Sequence, residues 1–377
     1  MKQTKGKTGN RRVFMAGLGI AGAACIVSCT SKSGQSTAIA QISRADTLNA
    51  LRPPKRKRPL IAILTDNHGS ETTDLIVPWS VLKRSDVADV VIVSTVTGAV
   101  QLMPALKIQP DMSIAQFDAL HPKGSDYVIV PAFHNPKNPV AAKWLQQQKT
   151  GRATIAGICS GALVLAHAGL LADRQATTHW YDRKKLTRIS PTTTLALNTR
   201  YIADRGIATT TGVSASLPFA LTLLEAIAGK KRAERQATKL GLSDFGQSHN
   251  SADFRLRAKN VLNLATNYIS SHDNFGQQID HTTDELALAF IADAWSRTYR
   301  TSVSTYAATD SAVVETQNGL KLLPDTDAKT GANLMQLPRF NGKPADALPF
   351  TLKQISQRYD TQTADFVALQ LEYKWRG

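Results

Sequence analysis

From residue 60 onward, short β-branched runs alternate with stretches of helical period, and this alternation constrains the fold more than any other feature. Leu60–Leu64 is a short apolar strand, followed by a helix over Thr73–Arg84 with Leu75, Ile76, Val81 and Leu82 apolar. Ala88–Ser94 and Asp126–Ala132 are further β-branched runs. Val140–Lys149 reads as a helix, Thr154–Ile158 as a strand and Ala162–Ala172 as a helix. Strands without a polar face are buried on both sides, so the pattern predicts an α/β fold with a parallel sheet between helical layers. Ligands of such sheets sit beyond the carboxyl ends of the strands.

Charge decides less than its total suggests. The chain of 377 residues carries a formal +16, but residues 1–28 hold Lys2, Lys5, Lys7, Arg11 and Arg12 and no acids. The run Arg52-Pro53-Pro54-Lys55-Arg56-Lys57-Arg58 holds five more cations, which leaves +6 for everything else. A Pro-rich basic run predicts a solvated spacer, so residues 29–59 are expected to be a disordered basic linker. The leader has a processing pattern. Arg11-Arg12-Val13-Phe14 precedes a mostly apolar stretch to Ser28, too short to span a bilayer comfortably. The arginine pair resembles a twin-arginine export signal. Ile26-Val27-Ser28-Cys29 resembles a bacterial lipobox, which implies lipidation at Cys29 and a cell-envelope lipoprotein on the periplasmic side of a bacterial membrane. Cys25 falls in the leader, so Cys159 is the one free thiol of the mature chain.

One junction concentrates chemistry. The strand ending Gly157-Ile158 runs straight into Cys159-Ser160-Gly161-Ala162 and a helix. Small residues on both sides of Cys159 permit a sharp strand-to-helix turn that lifts one side chain above the sheet. A helix N-terminus favours thiolate, and backbone N–H groups there stabilise a developing oxyanion. Cys159 is therefore the candidate nucleophile.

The stretch from Gly157 through Leu171, together with Ala176-Thr177-Thr178-His179-Trp180, resembles the ThiJ/PfpI superfamily. That family has a class I glutamine amidotransferase-like, flavodoxin-like fold. The resemblance is nearest to isocyanide hydratases and to the amidase-like domain of GlxA-type regulators, and it covers about residues 60–245. It implies an acid from the first helix, four residues before a proline; here that is Asp74, ahead of Pro78, with Glu71 close enough to compete. It also places His179 near the cysteine, as a base or as a wall of the pocket. Ser160, Gly161, Gly69 and Glu71 are the remaining oxyanion and pocket candidates. Two departures narrow the activity. Ser160 stands where protease-like members have histidine, and no His-x-Glu pair follows Gly212 as in glutaminases. The sequence carries no metal cluster, P-loop or GxGxxG fingerprint, so no cofactor and no metal site are inferred.

Beyond the 60–250 domain, residues 251–377 read as a helical connector and a smaller α/β lobe. Asp253–Ser271 and Thr283–Tyr299 are predicted helices. Thr95–Asp111 aligns without gaps to Thr309–Asp325, Trp79-Ser80 recurs as Trp295-Ser296, and Phe219–Glu225 resembles Phe366–Glu372. These pairs suggest a degenerate half-repeat whose centre, the part carrying the elbow and the histidine, is deleted. Family members commonly dimerise, so a homodimer or an internal pseudo-dimer is implied. GlxA-type regulators append a DNA-reading domain, but no basic recognition helix is present here. The expectation is a small-molecule partner, a membrane reached through the N-terminal lipid and no nucleic acid. The expected activity is cysteine-dependent hydration or hydrolysis of a small electrophile. The alternative is a non-catalytic ligand-binding or thiol redox-sensing module.

Overall fold

The computed structural model describes residues 42–375; the leader and Cys29 lie outside them. Every residue of strand β1 (Leu60–Thr65) is buried. Its side chains alternate between two cores: Ile61 and Ile63 enter one, Leu60, Ala62 and Leu64 the other. This two-sided burial is what the uninterrupted apolar run required. Helix α1 (Arg44–Ala50) precedes the strand, and α2 (Thr72–Ser85), β2 (Asp89–Ser94), β3 (Met112–Ser113), α3 (Ile114–Leu120) and β4 (Tyr127–Val130) follow it. Next come α4 (Pro139–Thr150), β5 (Thr154–Gly157), α5 (Gly161–His167), β6 (Tyr201–Asp204), β7 (Ile207–Thr210) and α6 (Ser216–Ala228). The sheet order is β6-β7-β5-β4-β1-β2-β3. All neighbours are parallel except β6 and β7, which pair as a hairpin with Tyr201 opposite Thr210. Trp144 of α4 and Leu163 of α5 cover one face; Leu75 and Ile76 of α2 and Phe219 of α6 cover the other. This is the flavodoxin-like α/β fold.

The linker expectation fails for residues 43–59. Ser43 caps α1 in a reciprocal box with Asp46, and Arg52, Lys55, Arg56 and Arg58 of the basic run are held by the domain. Arg56 pairs with Asp126 at 2.6 Å, and the same carboxylate accepts from the Lys55 and Leu60 amides. Arg58 reaches Asp86 and Asp89. A buried Asp126 in front of β4 needs these donors, and composition alone cannot reveal such a partner.

The carboxy-terminal part contains α7 (Ala258–Ile269), β8 (Asp273–Gln278), α8 (Glu285–Ser296), β9 (Thr301–Tyr306), β10 (Met335–Gln336), α9 (Ala347–Arg358) and α10 (Thr361–Gln370). Strand β8, polar in sequence and not foreseen, lies between β9 and β10, parallel to both. The core that holds Ile61 and Ile63 continues without a break into Leu286, Phe290, Leu352 and Val367. The aligned segments also occupy corresponding places. Val100 and Gln101 pair antiparallel with Ile108 and Lys107; Val314 and Glu315 pair antiparallel with Leu322 and Lys321, each 214 residues further along. The two hairpins join through Ile108 opposite Leu322, itself a corresponding pair. Asp111 Oδ2 accepts from the Ile92 amide as Asp325 Oδ2 does from the Thr305 amide. Helices α2 and α8 pack together with reciprocal ion pairs: Arg84 reaches Glu285 at 2.6 Å, and Arg297 reaches Glu71 at 2.7 Å. One pairing needs correction. Helix α9 packs on α8 as α6 packs on α2, so the counterpart of Phe219–Glu225 is α9 and not the segment Phe366–Glu372.

Candidate active site

The turn after β5 is built by what its residues lack. A Cβ on Gly161 would lie 2.1 Å from the Val130 carbonyl oxygen, and one on Gly157 would lie 2.9 Å from the Ala162 nitrogen. Only glycine lets α5 start this close to β4 and β5. Between them Cys159 adopts φ +55°, a left-handed conformation uncommon for a residue with a Cβ. Threonines hold it there. The Cys159 amide donates to Thr210 Oγ1 at 2.9 Å, and Thr178 Oγ1 donates to the Cys159 carbonyl at 3.1 Å. The sequence-predicted elbow is present, and the closing strand β7 and the Ala176–Trp180 segment support it.

The oxyanion expectation changes in detail. The Cys159 amide is engaged by Thr210, and the Gly161 amide donates to the Ile158 carbonyl at 2.7 Å. The Ser160 amide instead faces the sulfur and favours its thiolate. The Ser160 hydroxyl donates to Asp182 Oδ2 at 2.5 Å. Gly69, at φ +131°, turns the chain between β1 and α2 and accepts from the His134 amide at 2.9 Å.

The thiol is buried, and burial together with the carboxylates of Asp74 and Glu71 pushes its pKa well above the usual thiol value. The Ser160 amide opposes this rise and is outweighed. Both acids are themselves raised to about 7. Burial is the main cause for each, with Asp74 adding to the effect on Glu71, and with Arg297 opposing it in both. Glu71 caps α2, accepting from the Asp74 amide at 2.5 Å and from the Thr73 hydroxyl at 2.9 Å. Asp74 Oδ2 accepts from the Ala132 amide at 3.3 Å, and the Asp74 carboxyl also shares a hydrogen bond with the Glu71 carboxyl.

Sequence reasoning missed the charge that balances these acids. Arg297, just after α8, donates to Glu71 Oε1 at 2.7 Å and to Asp293 Oδ1 at 2.6 Å. Burial alone would lower its pKa, but Asp293 and Glu71 raise it, and the Cys159 sulfur adds to that effect. Asp293 is also buried, and its carboxyl pKa stands well above the ordinary value for that reason. One guanidinium cannot balance three carboxylates, so protons remain in the cluster near neutrality. The signal that could have found Arg297 was the repeat of Trp79-Ser80 as Trp295-Ser296, one residue before it.

The carboxy-terminal residues hold the other wall. His179 Nε2 faces the Gln370 carbonyl at 3.0 Å, and Gln370 Nε2 donates to the Arg297 carbonyl at 3.0 Å. Burial lowers the His179 pKa, against an opposing pull from Glu372. Glu372 accepts from the Gly212 amide at 2.7 Å, the Trp180 amide at 3.2 Å and Arg183 at 3.3 Å, and meets His249 at 3.0 Å. Burial would raise its pKa, but the His249 hydrogen bond and the nearby histidine charges hold it below the ordinary value. The acids of α2, rather than His179, are the charges that act most strongly on the thiol.

Residues 60–226 match the model of the DJ-1/PfpI family. This stretch is a DJ-1/PfpI domain. Isonitrile hydratase from Pseudomonas putida is 31% identical over 91 residues, 24% of this chain and 39% of that protein. The HTH-type transcriptional regulator CdhR from Pseudomonas aeruginosa is 40% identical over 73 residues, 18% of this chain and 22% of that protein. The chain thus spans well under half the length of either relative. Among solved structures, Drosophila melanogaster DJ-1beta aligns with a TM-score of 0.44 and 22% identity, over 50% of this chain and 100% of that one. The DJ-1/PfpI match ends before α7, so the residues that supply Arg297 and Glu372 lie outside it.

Proposed function

We propose that the DJ-1/PfpI domain uses Cys159 as a nucleophile toward a small electrophile of the isocyanide class, with Asp74 carrying the proton. The observation that carries this reading is the Asp74 carboxyl. It is buried among the groups that act on the thiol, shares a hydrogen bond with the Glu71 carboxyl, and has a pKa raised to about 7. A group half ionised near neutrality suits both taking and giving a proton. The isonitrile hydratase likeness supports the substrate class.

Asp74 accepts the Cys159 proton as the sulfur bonds to the terminal carbon of R–N≡C, and returns it to that carbon to give a thioimidate. Water adds to this carbon, the C–S bond breaks, and R–NH–CHO leaves while the thiol regains a proton. Arg297 stays charged and keeps Glu71 and Asp293 from crowding the thiol with unbalanced charge. The site draws on both halves of the chain, and we read residues 273–370 as a degenerate second copy that covers the first as a partner subunit would. We place the lipid at Cys29 and the domain on the periplasmic side of a bacterial membrane. The test is turnover of a panel of small isocyanides, aldehydes and amides by the wild type and by Cys159→Ser. Loss of N-formamide production in the variant is expected; equal turnover by both would reject the nucleophile.

The second reading is a thiol sensor or ligand-binding module, related to the regulator likeness. Its ligand-binding form is favoured by the raised thiol pKa, which leaves little thiolate at rest for attack or for oxidation. Absence of turnover across the whole panel, combined with peroxide oxidation confined to Cys159, would establish it instead.

A further inference from the structure

Helix α7 is inverted. On most surface helices the apolar stripe faces the core and the polar side faces water. Here Asn260, Asn263 and Asn267 form the buried row. Asn267 donates to Asn263 Oδ1 at 3.2 Å and to the Thr363 hydroxyl of α10 at 3.2 Å, and the Asn260 side chain caps the helix by accepting from the Arg257 amide. The outward face carries Val261, Leu262, Tyr268 and Ile269, with Leu256 just before the helix. Leu262 is 70% exposed and Ile269 84% exposed. The Asn–Thr seam fixes the rotation of the helix, so turning the apolar side inward would strip hydrogen bonds from three buried amides.

An apolar stripe held outward by a polar seam marks an interaction surface, and charge identifies the partner. Arg255, Arg257 and Lys259 are exposed at its start, and no acid occurs between Phe254 and His272. Cations beside a Leu/Ile/Tyr face are the pattern of a helix that lies in the plane of an anionic lipid surface.

We propose that α7 docks on an anionic membrane surface, with Leu262, Tyr268 and Ile269 entering the headgroup boundary and Arg255, Arg257 and Lys259 facing lipid phosphates. The inference rests on the helix itself and does not require that Cys29 be lipidated or that Cys159 be catalytic. The test uses the full-length chain with Cys25, Cys29 and Cys159 replaced by serine and a polarity-sensitive fluorophore on Ile269→Cys, with Gln147→Cys as the control position. Vesicles of equal parts phosphatidylglycerol and phosphatidylcholine should blue-shift and brighten the probe at 269 several-fold and leave the probe at 147 unchanged. Adding Arg255→Ala, Arg257→Ala and Lys259→Ala, or raising the salt, should reduce the response. A silent probe at 269 on vesicle-bound protein would overturn the proposal. So would a vesicle-independent blue shift: growth with protein concentration would assign the face to a second copy, and loss on removing residues 1–28 would assign it to the leader.

Discussion

Replacing Arg297 with methionine removes the guanidinium that Glu71 and Asp293 share while keeping most of the apolar stem. The magnitude follows from the geometry. Both contacts are short, and the carboxylates are 8% and 0% exposed, but Arg297 itself is 21% exposed. Breaking a fully buried pair by deleting one partner costs about 3–5 kcal/mol, so the low end, about 3 kcal/mol, applies above pH 7. The cost falls with pH. Glu71 and Asp74 have folded pKa values near 7, above their ordinary values of 4.5 and 3.8. Groups raised in this way favour the folded state below the ordinary value and lose that contribution as pH rises toward 7. Without Arg297 to oppose it, the rise is larger and the decline steeper. At pH 5 the acids are protonated, the lost attraction is smaller, and the variant should trail wild type by only about 1 kcal/mol. Urea unfolding followed by tryptophan fluorescence at pH 5 and pH 8 measures both numbers. A deficit that is equal at the two pH values, or larger at pH 5, would refute the claim that Arg297 acts by balancing buried carboxylates.

The other variants separate thiol chemistry from architecture. Asp74→Asn removes a charge that opposes the thiolate, so alkylation of Cys159 by iodoacetamide at pH 8 should speed up, by about tenfold for each pKa unit gained. Turnover of the same variant should fall about 100-fold or more; slower alkylation would show that Asp74 does not raise the thiol pKa. Glu372→Gln leaves one acceptor oxygen for four donors, so stability should drop by about 2 kcal/mol with a red shift of Trp180 emission. In the wild type, the contribution of Glu372 should be present above the ordinary 4.5 and be lost as pH falls through its lower folded value; an unchanged unfolding midpoint in the variant at pH 7 would contradict this.

The central sheet and the elbow were legible because each rests on local chemistry. Leu60–Thr65 is apolar on both faces, and Gly157, Gly161 and Cys159 fit no other turn as well. Asp74 and Glu71 could be singled out because they share the first turn of one helix. Arg297, Asp293 and Glu372 could not, since each lies more than 130 residues of sequence from Cys159 and contact between such positions has no local signature. The same limit hid the ordering of Arg56 and Arg58 by Asp126, Asp86 and Asp89. Helix α7 was anticipated as a helix, but its orientation depends on Thr363 of another element.

The most direct measurement is covalent capture at Cys159. Rapid acid quenching during turnover of a small isocyanide, followed by mass analysis of the peptide that carries Cys159, should reveal an adduct with the mass of the substrate. The adduct should be absent from Cys159→Ser. Turnover that proceeds with no adduct on Cys159, or at an undiminished rate in Cys159→Ser, would contradict a nucleophilic role for this thiol.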